Sequence, residues 1–204
     1  LVNQNTLSDR TGVLRMVERL PTKAGELHPL RKGQGGDLTA SIFAALAGLH
    51  PYKTIGEVYA EKALGIDFDR DETIAMRRGR ILEPAVAAAM AEERPDWQIE
   101  KAHEYLRDPK LRLGCTPDFY FRDERGRRGV LQAKACPKLV FDKFWGDSPP
   151  PWIALQNAVE IMLDDAEVGC IAALIVDGYH FDCVSFEVPR HVGAQAYACS
   201  EITV

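Results

Sequence analysis

The stretch Leu113-Gly-Cys-Thr-Pro-Asp-Phe-Tyr-Phe121, followed by Arg122-Asp-Glu-Arg-Gly-Arg-Arg-Gly129 and Val130-Leu-Gln-Ala-Lys-Ala135, decides the fold of this chain of 204 residues. Its aromatic run 119–121 and its apolar pair 130–131 favour extended backbone. A polar segment with two glycines separates them and is typical of a turn. The stretch therefore predicts a β-hairpin with a charged turn.

Polar side chains are expected to converge at the open end of this hairpin. Asp118 lies just before the aromatic run of the first strand, where it can face the second strand. Gln132 and Lys134 point to one face, because residues two apart on a strand share a face. A carboxylate, an amide oxygen and an amine at one point would suit a divalent cation and a phosphate.

The composition is that of an ordinary globular domain. Hydrophobic residues make up 46% of the chain and charged residues 27%, which is usual for a folded protein. No apolar run reaches the roughly 20 residues that a membrane helix needs. No secretory signal is recognised, although the chain begins with Leu1 and its natural start can lie upstream. We therefore expect one cytoplasmic domain without a membrane segment.

The cysteines do not indicate a metal cluster. Their number is odd, and no two form a Cys-x-x-Cys pair. Buried, reduced thiols in a cytosolic protein are the expectation. The five positions are Cys115, Cys136, Cys170, Cys183 and Cys199.

Basic residues occur in clusters although the net charge is −5. A protein that coats nucleic acid non-specifically is usually basic, whereas local basic patches on an acidic chain are compatible with a confined nucleic-acid channel. Solvated surface charge is the alternative for each cluster. The clusters are Arg77, Arg78 and Arg80; Arg122, Arg125, Arg127 and Arg128; and Lys134, Lys138 and Lys143.

The patterns along the chain predict an α/β domain with a mixed central β-sheet flanked by helices. Apolar spacing and capping residues predict helices over 14–20, 39–49, 54–64, 71–94, 138–145 and 151–165. Further strands are predicted over 97–106, 170–176 and 180–188, and a C-terminal helix over 189–204. The glycine-rich basic loop 30–36 precedes a predicted helix, so its free N–H groups would suit an anion.

Several short motifs follow one another in a definite order. They are Arg10-Thr-Gly-Val13; Leu30-Arg31 with Thr39-Ala-Ser41; Arg78-Gly-Arg-Ile-Leu-Glu83; Cys115-Thr-Pro-Asp118; Leu131-Gln-Ala-Lys134; and Gln156. In this order they resemble the PD-(D/E)xK nuclease superfamily, and within it the lambda-type (YqaJ-like) phage recombination exonucleases. Each motif is short, but their order and spacing together are fairly specific. The likeness covers roughly residues 10–187.

The resemblance implies a restriction-endonuclease-like core in a single nuclease domain over 1–204. A helical N-terminal region of about 1–95 would precede a sheet core of about 96–188 and the C-terminal helix 189–204. The implied reaction is phosphodiester hydrolysis with Mg²⁺, or alternatively Mn²⁺, as cofactor. The implied catalytic residues are Asp118, Gln132, Lys134, Glu83 and Gln156, and the implied cation ligands are Asp118, Gln132, Glu83 and the carbonyl of Ala133.

The implied substrate is the end of linear double-stranded DNA, digested 5′ to 3′ so that a 3′ single strand is left for recombination. Arg31 and Ser41 would hold a terminal 5′-phosphate. The resemblance further implies a homotrimeric ring that threads duplex DNA. It also implies a single-strand annealing protein as partner, and a bacterial or phage-encoded protein of the cytoplasm.

Position 132 departs from the family pattern, which has Glu or Asp where this chain has Gln132. A glutamine offers only a neutral oxygen, and Mg²⁺ prefers anionic ones, so weaker cation binding is expected. Natural variation, an engineered substitution that traps substrate, and loss of catalysis are the three explanations. A catalytically weakened or inactive DNA-binding relative and a structure-selective endonuclease are therefore alternative functions. Neither a dinucleotide fingerprint nor a nucleophile elbow supports a small-molecule enzyme.

Overall fold

The computed structural model describes residues 3–8, 14–23, 28–66, 68, 72–191 and 193. The strands in these ranges are β1 (Asn3–Ser8), β2 (Leu14–Pro21), β3 (Leu38–Thr39), β4 (Gln98–Lys101), β5 (Glu104–Asp108), β6 (Leu113–Cys115), β7 (Phe119–Arg122), β8 (Arg128–Cys136), β9 (Val168–Val176) and β10 (Phe181–Pro189). The α-helices are α1 (Ala40–Phe43), α2 (Ile55–Leu64), α3 (Ile74–Glu93), α4 (Lys138–Phe144) and α5 (Pro151–Asp164), and Pro29–Arg31 forms a 3₁₀ turn.

The described strands form two five-stranded sheets. The N-terminal sheet has the order β1-β2-β5-β6-β3, and the central sheet has the order β10-β9-β8-β7-β4. Both are mixed, because β3 runs parallel to β6 and β8 runs parallel to β9, whereas the other neighbours are antiparallel. The predicted α/β class and mixed central sheet are confirmed, and the N-terminal sheet was not predicted.

Two of the passages of the chain between the two sheets lie next to each other. The predicted strand 97–106 is interrupted, so that β4 pairs with β7 in the central sheet while β5 pairs with β2 and β6 in the N-terminal sheet. The second crossing lies between β6 and β7 and includes Asp118. The two crossings touch where the N–H of Ala102 donates to the Asp118 carbonyl at 3.2 Å. Asp118 therefore lies at the junction of the sheets.

Helices cover both faces of the central sheet. On one face α3 contributes Val86 to an apolar cluster that includes Leu131 of β8. On the other face α5 contributes Ile161, which packs with Val130 of β8. Since side chains alternate along a strand, the even-numbered residues within 130–134 face α5.

Local sequence signals set the bounds of α2 as predicted. Thr54 and Glu57 form a reciprocal capping box at its start, and Gly65 ends it with a φ of 68°, a conformation that costs glycine little. The predicted long helix is confirmed as α3, which contains Pro84, and α4 and α5 lie where they were predicted. No helix in the described ranges is long and apolar enough to cross a bilayer.

Two helix predictions near the N-terminus are wrong. Residues 14–20 belong to strand β2, because pairing with β1 and β5 buries Val17 and outweighs a weak helical periodicity. The helix predicted over 39–49 ends at Phe43 and continues as tight turns, in which the N–H of Ala45 donates to the carbonyl of Ile42 at 3.0 Å. The N-terminal region that was predicted to be helical, residues 1–95, therefore also contains strands.

Two other predictions fall largely outside the described residues. The motif at Arg10 lies in an undescribed segment, as does most of the predicted C-terminal helix, from residue 194 onward. Pro189, where that helix was expected to begin, is the last residue of β10.

Gly129 allows a close aromatic contact within the hairpin. It lies opposite Phe121, whose ring stacks on Trp97 with 4.4 Å between centroids. A Cβ at position 129 would lie 2.2 Å from the Cζ of Phe121. We expect Gly129→Ala to lower the free energy of unfolding by about 1–3 kcal/mol, because the stacked ring must move. The urea denaturation midpoint measures this loss.

Gly79→Ala is the matched control for this substitution. Gly79 lies inside α3, and a Cβ there meets nothing within 4 Å. Alanine is the better helix former, so this variant should be stabilised by about 0.5–1 kcal/mol. Equal midpoints for the two variants would contradict the steric argument.

Candidate active site

The predicted hairpin is confirmed, and it holds Asp118 against the second strand. Phe119 of β7 pairs with Leu131 of β8 in antiparallel register, and Asp118 directly precedes this pair. The backbone N–H of Ala133 donates to Asp118 Oδ2 at 2.9 Å. The carboxylate is thereby fixed beside the strand that carries Gln132.

Gln132 links the strand to helix α5. Its side chain is fully buried, with an exposed fraction of 0%. In the amide orientation that satisfies its surroundings, its oxygen accepts from Lys134 Nζ at 3.0 Å and its nitrogen donates to the Ile153 carbonyl at 3.3 Å. The Gln156 amide contacts the same oxygen. The structure thus brings Gln132, Lys134 and Gln156 together next to Asp118.

Glu160 is a residue of this site that the sequence analysis did not assign. It lies one turn after Gln156 on α5, and only 2% of it is exposed. Gln156 Nε2 donates to Glu160 Oε1 at 3.0 Å. Burial, and then the negative charge of Asp118, raise the pKa of Glu160 to about 8. The i, i+4 spacing of Gln156 and Glu160 was the available signal, because it places both on one helix face.

Burial and neighbouring charges both shift the pKa of Asp118. Burial raises the pKa of Asp118 above its ordinary value; the positive charge of Lys134 opposes that rise, and the negative charge of Glu83 adds to it. Glu83 belongs to α3, on the other side of the central sheet from α5, and its carboxylate pairs with Lys101. Glu83 is therefore near enough to act on Asp118, while its hydrogen bond is made elsewhere.

The two residues predicted to bind phosphate occupy different surroundings. Burial lowers the pKa of Arg31, and the charges that oppose this fall include those of Asp118 and Glu160, so its guanidinium lies in the field of the site. Ser41 Oγ lies 3.0 Å from Thr39 Oγ1 in the first turn of the four-residue helix α1. Within the described residues no hydrogen bond joins Arg31 to Ser41.

The basic clusters serve partly to stabilise the fold. Arg127 Nε bonds Asp123 at 2.7 Å, and Arg128 bonds the buried Asp164 at 2.6 Å. On α3, Arg80 pairs with Glu72, whereas the Nε of Arg78 is buried without a hydrogen-bond partner. The predicted basic patches therefore do not all offer free charge to a nucleic acid.

A divalent cation would have to bind here to mixed oxygen donors. Across the described segments of the chain, no three or more His, Cys, Asp or Glu side chains are grouped closely enough to hold a metal ion by themselves. At the sheet junction, however, Thr116 Oγ1 is buried without a partner. Repulsion between the negative charges of Asp118 and Glu160, which contributes to the raised pKa of Glu160, would be relieved by a cation. The donor chemistry of the site therefore fits a hard divalent ion.

The fold is the one expected of a nuclease of the PD-(D/E)xK class, and the carboxylate, amide and lysine predicted from its motifs lie together at the sheet junction. Residues 26–151 match the family model of the YqaJ-like viral recombinase domain. Since the match spans more than half of the chain, the protein belongs to that family, and the resemblance predicted from the motifs is confirmed. No curated protein sequence gives a significant match.

Solved structures of similar fold agree with this assignment. An alkaline exonuclease from Laribacter hongkongensis superposes with a TM-score of 0.60 at 16% identity, over 83% of this chain and 85% of that chain. Its complex with dAMP gives 0.59 at 18% identity over the same shares, 83% and 85%. A phage-related exonuclease from Haemophilus somnus gives 0.57 at 11% identity, over 82% of this chain and 90% of that chain. At these identities the likeness establishes the fold.

The raised pKa of Glu160 predicts how stability depends on pH in cation-free protein. In the folded protein the Glu160 carboxyl keeps its proton up to about pH 8, whereas in the unfolded chain a glutamate loses its proton at about pH 4.3. The protonated carboxyl therefore stabilises the fold fully below about pH 4.3, and this stabilisation is lost as the pH rises toward 8. Glu160→Gln cannot ionise, so its free energy of unfolding should fall less steeply. The charged groups that interact electrostatically with Glu160, namely Asp118, Lys134 and Arg31, are present in both proteins.

Urea denaturation in the presence of a chelator, at steps between pH 5 and pH 8, measures both slopes. The difference between them is expected to reach at most about 1.4 kcal/mol per pH unit. Parallel slopes for the two proteins would show that Glu160 is already ionised at pH 5.

Proposed function

We propose that the protein is a divalent-cation-dependent exonuclease that digests linear double-stranded DNA from its 5′ ends. The observation that carries this proposal is the convergence of Asp118, Gln132 and Lys134 where the two sheets meet. Membership of the YqaJ-like viral recombinase domain family supports it, and so does the shared fold of two proteins described as exonucleases.

Each side chain of the site has a role that its surroundings suit. A bound Mg²⁺ or Mn²⁺ would polarise the phosphate and make a water molecule more acidic. Asp118 would hold the ion, aided by the Ala133 carbonyl and the oxygen of Gln132, with Glu83 acting on the site from α3. Lys134 would orient the attacking water and offset the negative charge that develops on the phosphate oxygens. Gln156 would fix Lys134 through Gln132, which both of them contact.

The proposed reaction is a balanced hydrolysis. The oxygen of water forms a bond to phosphorus, the P–O3′ bond breaks, and a proton passes to the departing 3′ oxygen. The released nucleotide then carries a 3′-hydroxyl, and the shortened strand keeps a 5′-phosphate. Every cut therefore recreates the charged terminus that Arg31 is proposed to bind, which favours stepwise digestion.

Arg31→Ala should reduce the preference for a phosphorylated end. A charged hydrogen bond contributes about 1.5–3 kcal/mol, so we expect the 5′-phosphate to 5′-hydroxyl rate ratio to fall about tenfold or more. Initial rates on two duplexes that differ only at this terminus measure the ratio. The matched control is Lys32→Ala, which removes the neighbouring exposed cation and should keep the ratio. An unchanged ratio in Arg31→Ala would disprove the assignment.

The proposed exonuclease activity is tested by comparing linear with circular duplex DNA as substrate. Linear duplex should be digested in the presence of Mg²⁺, whereas covalently closed circles of the same sequence should survive. Cutting of both substrates would favour a structure-selective endonuclease. Digestion of linear DNA labelled at either the 5′ or the 3′ end gives the polarity.

A second candidate is a DNA-binding relative with weakened or no catalysis, and the neutral side chain of Gln132 is the observation that favours it. Both candidate functions predict binding to duplex DNA, but only the exonuclease would cut the bound DNA. Retention of intact linear DNA at saturating Mg²⁺ and Mn²⁺, together with measurable binding, would support this relative.

We also propose a ring-shaped homotrimer and a single-strand annealing protein as partner. Both proposals are supported by family membership alone. Sedimentation analysis at several protein concentrations tests the trimer. Protection of the product strand by a co-expressed annealing protein tests the partnership.

A further inference from the structure

Because Gln132 is neutral, the proposed cation site has one negative charge fewer than the family pattern would give it. The Gln132 oxygen is also engaged, since it accepts from Lys134 Nζ at 3.0 Å and contacts the Gln156 amide. Its nitrogen donates to the Ile153 carbonyl. Gln132 therefore positions its neighbours and can offer a metal ion at most one neutral oxygen that is already engaged, whereas the ion prefers anionic oxygens.

A buried carboxylate approaches the same point from the helix. Glu160 lies on α5, the helix that the side chains of Gln132 and Lys134 face, and is joined to Gln132 through Gln156. Only 2% of Glu160 is exposed. Burial raises the pKa of Glu160, and the negative charge of Asp118 adds to that rise, so Asp118 acts electrostatically on Glu160. Glu160 has no ion-pair partner among the described residues.

The hydrogen bonds of Glu160 hold it in place and leave acceptor capacity unused. Oε1 accepts one bond from Gln156 at 3.0 Å, and Oε2 lies at the limit of bonding from Asn157, at 3.5 Å. An ionised carboxylate offers about four lone-pair sites. Each Glu160 oxygen therefore keeps at least one acceptor site for an ion.

We propose that Glu160 is a cation ligand and supplies from helix α5 the second carboxylate that strand β8 lacks at Gln132. The inference rests on the proposed function, because it assigns a further residue to that same site. Gln132 acts as a positioning residue that orients Lys134 and Gln156, and Asp118 and Glu160 bind the ion from two different elements. Glu160 is buried and Asp118 is half-buried, and ion binding would remove the repulsion between their charges.

Calorimetric titration of DNA-free protein with Mg²⁺ and with Ca²⁺ tests this without relying on activity. Glu160→Gln should weaken affinity for both ions by at least about tenfold. Adding Gln132→Glu to that variant should return affinity toward the wild-type value, since it restores a carboxylate from the strand. Glu92→Gln removes one exposed negative charge on α3 and should bind as the wild type does.

The outcomes separate this inference from the proposed function. Equal affinity in wild type and Glu160→Gln, or equal weakening in Glu92→Gln, overturns the role of Glu160 and leaves cation-dependent hydrolysis standing. No ion binding by the wild type overturns both. If Glu160→Gln does not fold, Glu160→Asp retains the charge but moves it by one methylene group. Weaker ion binding in Glu160→Asp supports the inference, and wild-type affinity opposes it.

Discussion

Replacing Asp118 with Asn is expected to reduce hydrolysis of linear duplex DNA by about a thousandfold. The carboxylate at the sheet junction is the proposed main anchor of the cation, and loss of such electrostatic stabilisation is worth several kcal/mol in the transition state, at about 1.4 kcal/mol per decade. Folding should be preserved, because an Asn oxygen can still accept from the Ala133 N–H. Burial raises the pKa of Asp118, so a neutral side chain is not penalised there.

Single-turnover digestion of labelled duplex, with enzyme in excess, measures this loss free of product release. Asp147→Asn is the matched control, since Asp147 is exposed in the loop before α5 and should leave the rate unchanged. Urea midpoints for both variants establish that each is folded. A rate within a few-fold of wild type in Asp118→Asn would remove the central residue of the proposed site.

Lys134→Met is expected to lower the hydrolysis rate by about 10²–10³-fold. Lys134 Nζ is held at 3.0 Å from the Gln132 oxygen, and it is the cation proposed to offset the charge developing on phosphate. Loss of one such preorganised donor costs this much in other enzymes. Methionine keeps most of the length and apolar stem of lysine, so the packing against α5 should survive.

The two substitutions should have opposite effects on cation binding. Asp118→Asn removes a negative ligand and weakens affinity, whereas Lys134→Met removes a nearby positive charge and should preserve or strengthen it. Lys138→Met, on the first turn of α4 where Lys138 pairs with Asp142, is the control for loss of a lysine. Weakened cation binding in Lys134→Met would indicate a structural role in place of a catalytic one.

The sequence predicted the hairpin and its polar end because those features are local. Two apolar runs with a glycine-containing turn between them predict antiparallel pairing, and alternation places Gln132 and Lys134 on one face. Capping chemistry likewise located α2, from Thr54 to the left-handed Gly65. The family could be recognised for the same reason, since its motifs are short and read along the chain.

Where long-range pairing decided the outcome, prediction from sequence was less successful. Residues 14–20 carry a weak helical pattern, yet they form β2 because strands on both sides supply hydrogen bonds. The segment 97–106 looks like one strand, but its halves enter different sheets. Neither result follows from local preference, because each depends on partners far away in the chain.

The sequence by itself determined the β7–β8 hairpin, the common face of Gln132 and Lys134, and the order of motifs that identifies the family. Only the tertiary structure decided that Asp118 lies at the crossing of two sheets and that α5 brings Glu160 to the same point. Backbone dihedrals, caps and strand alternation are set by near neighbours in sequence. Which helix covers which face of a sheet is set by the burial of apolar surface between distant segments, and it is this packing that places the second carboxylate.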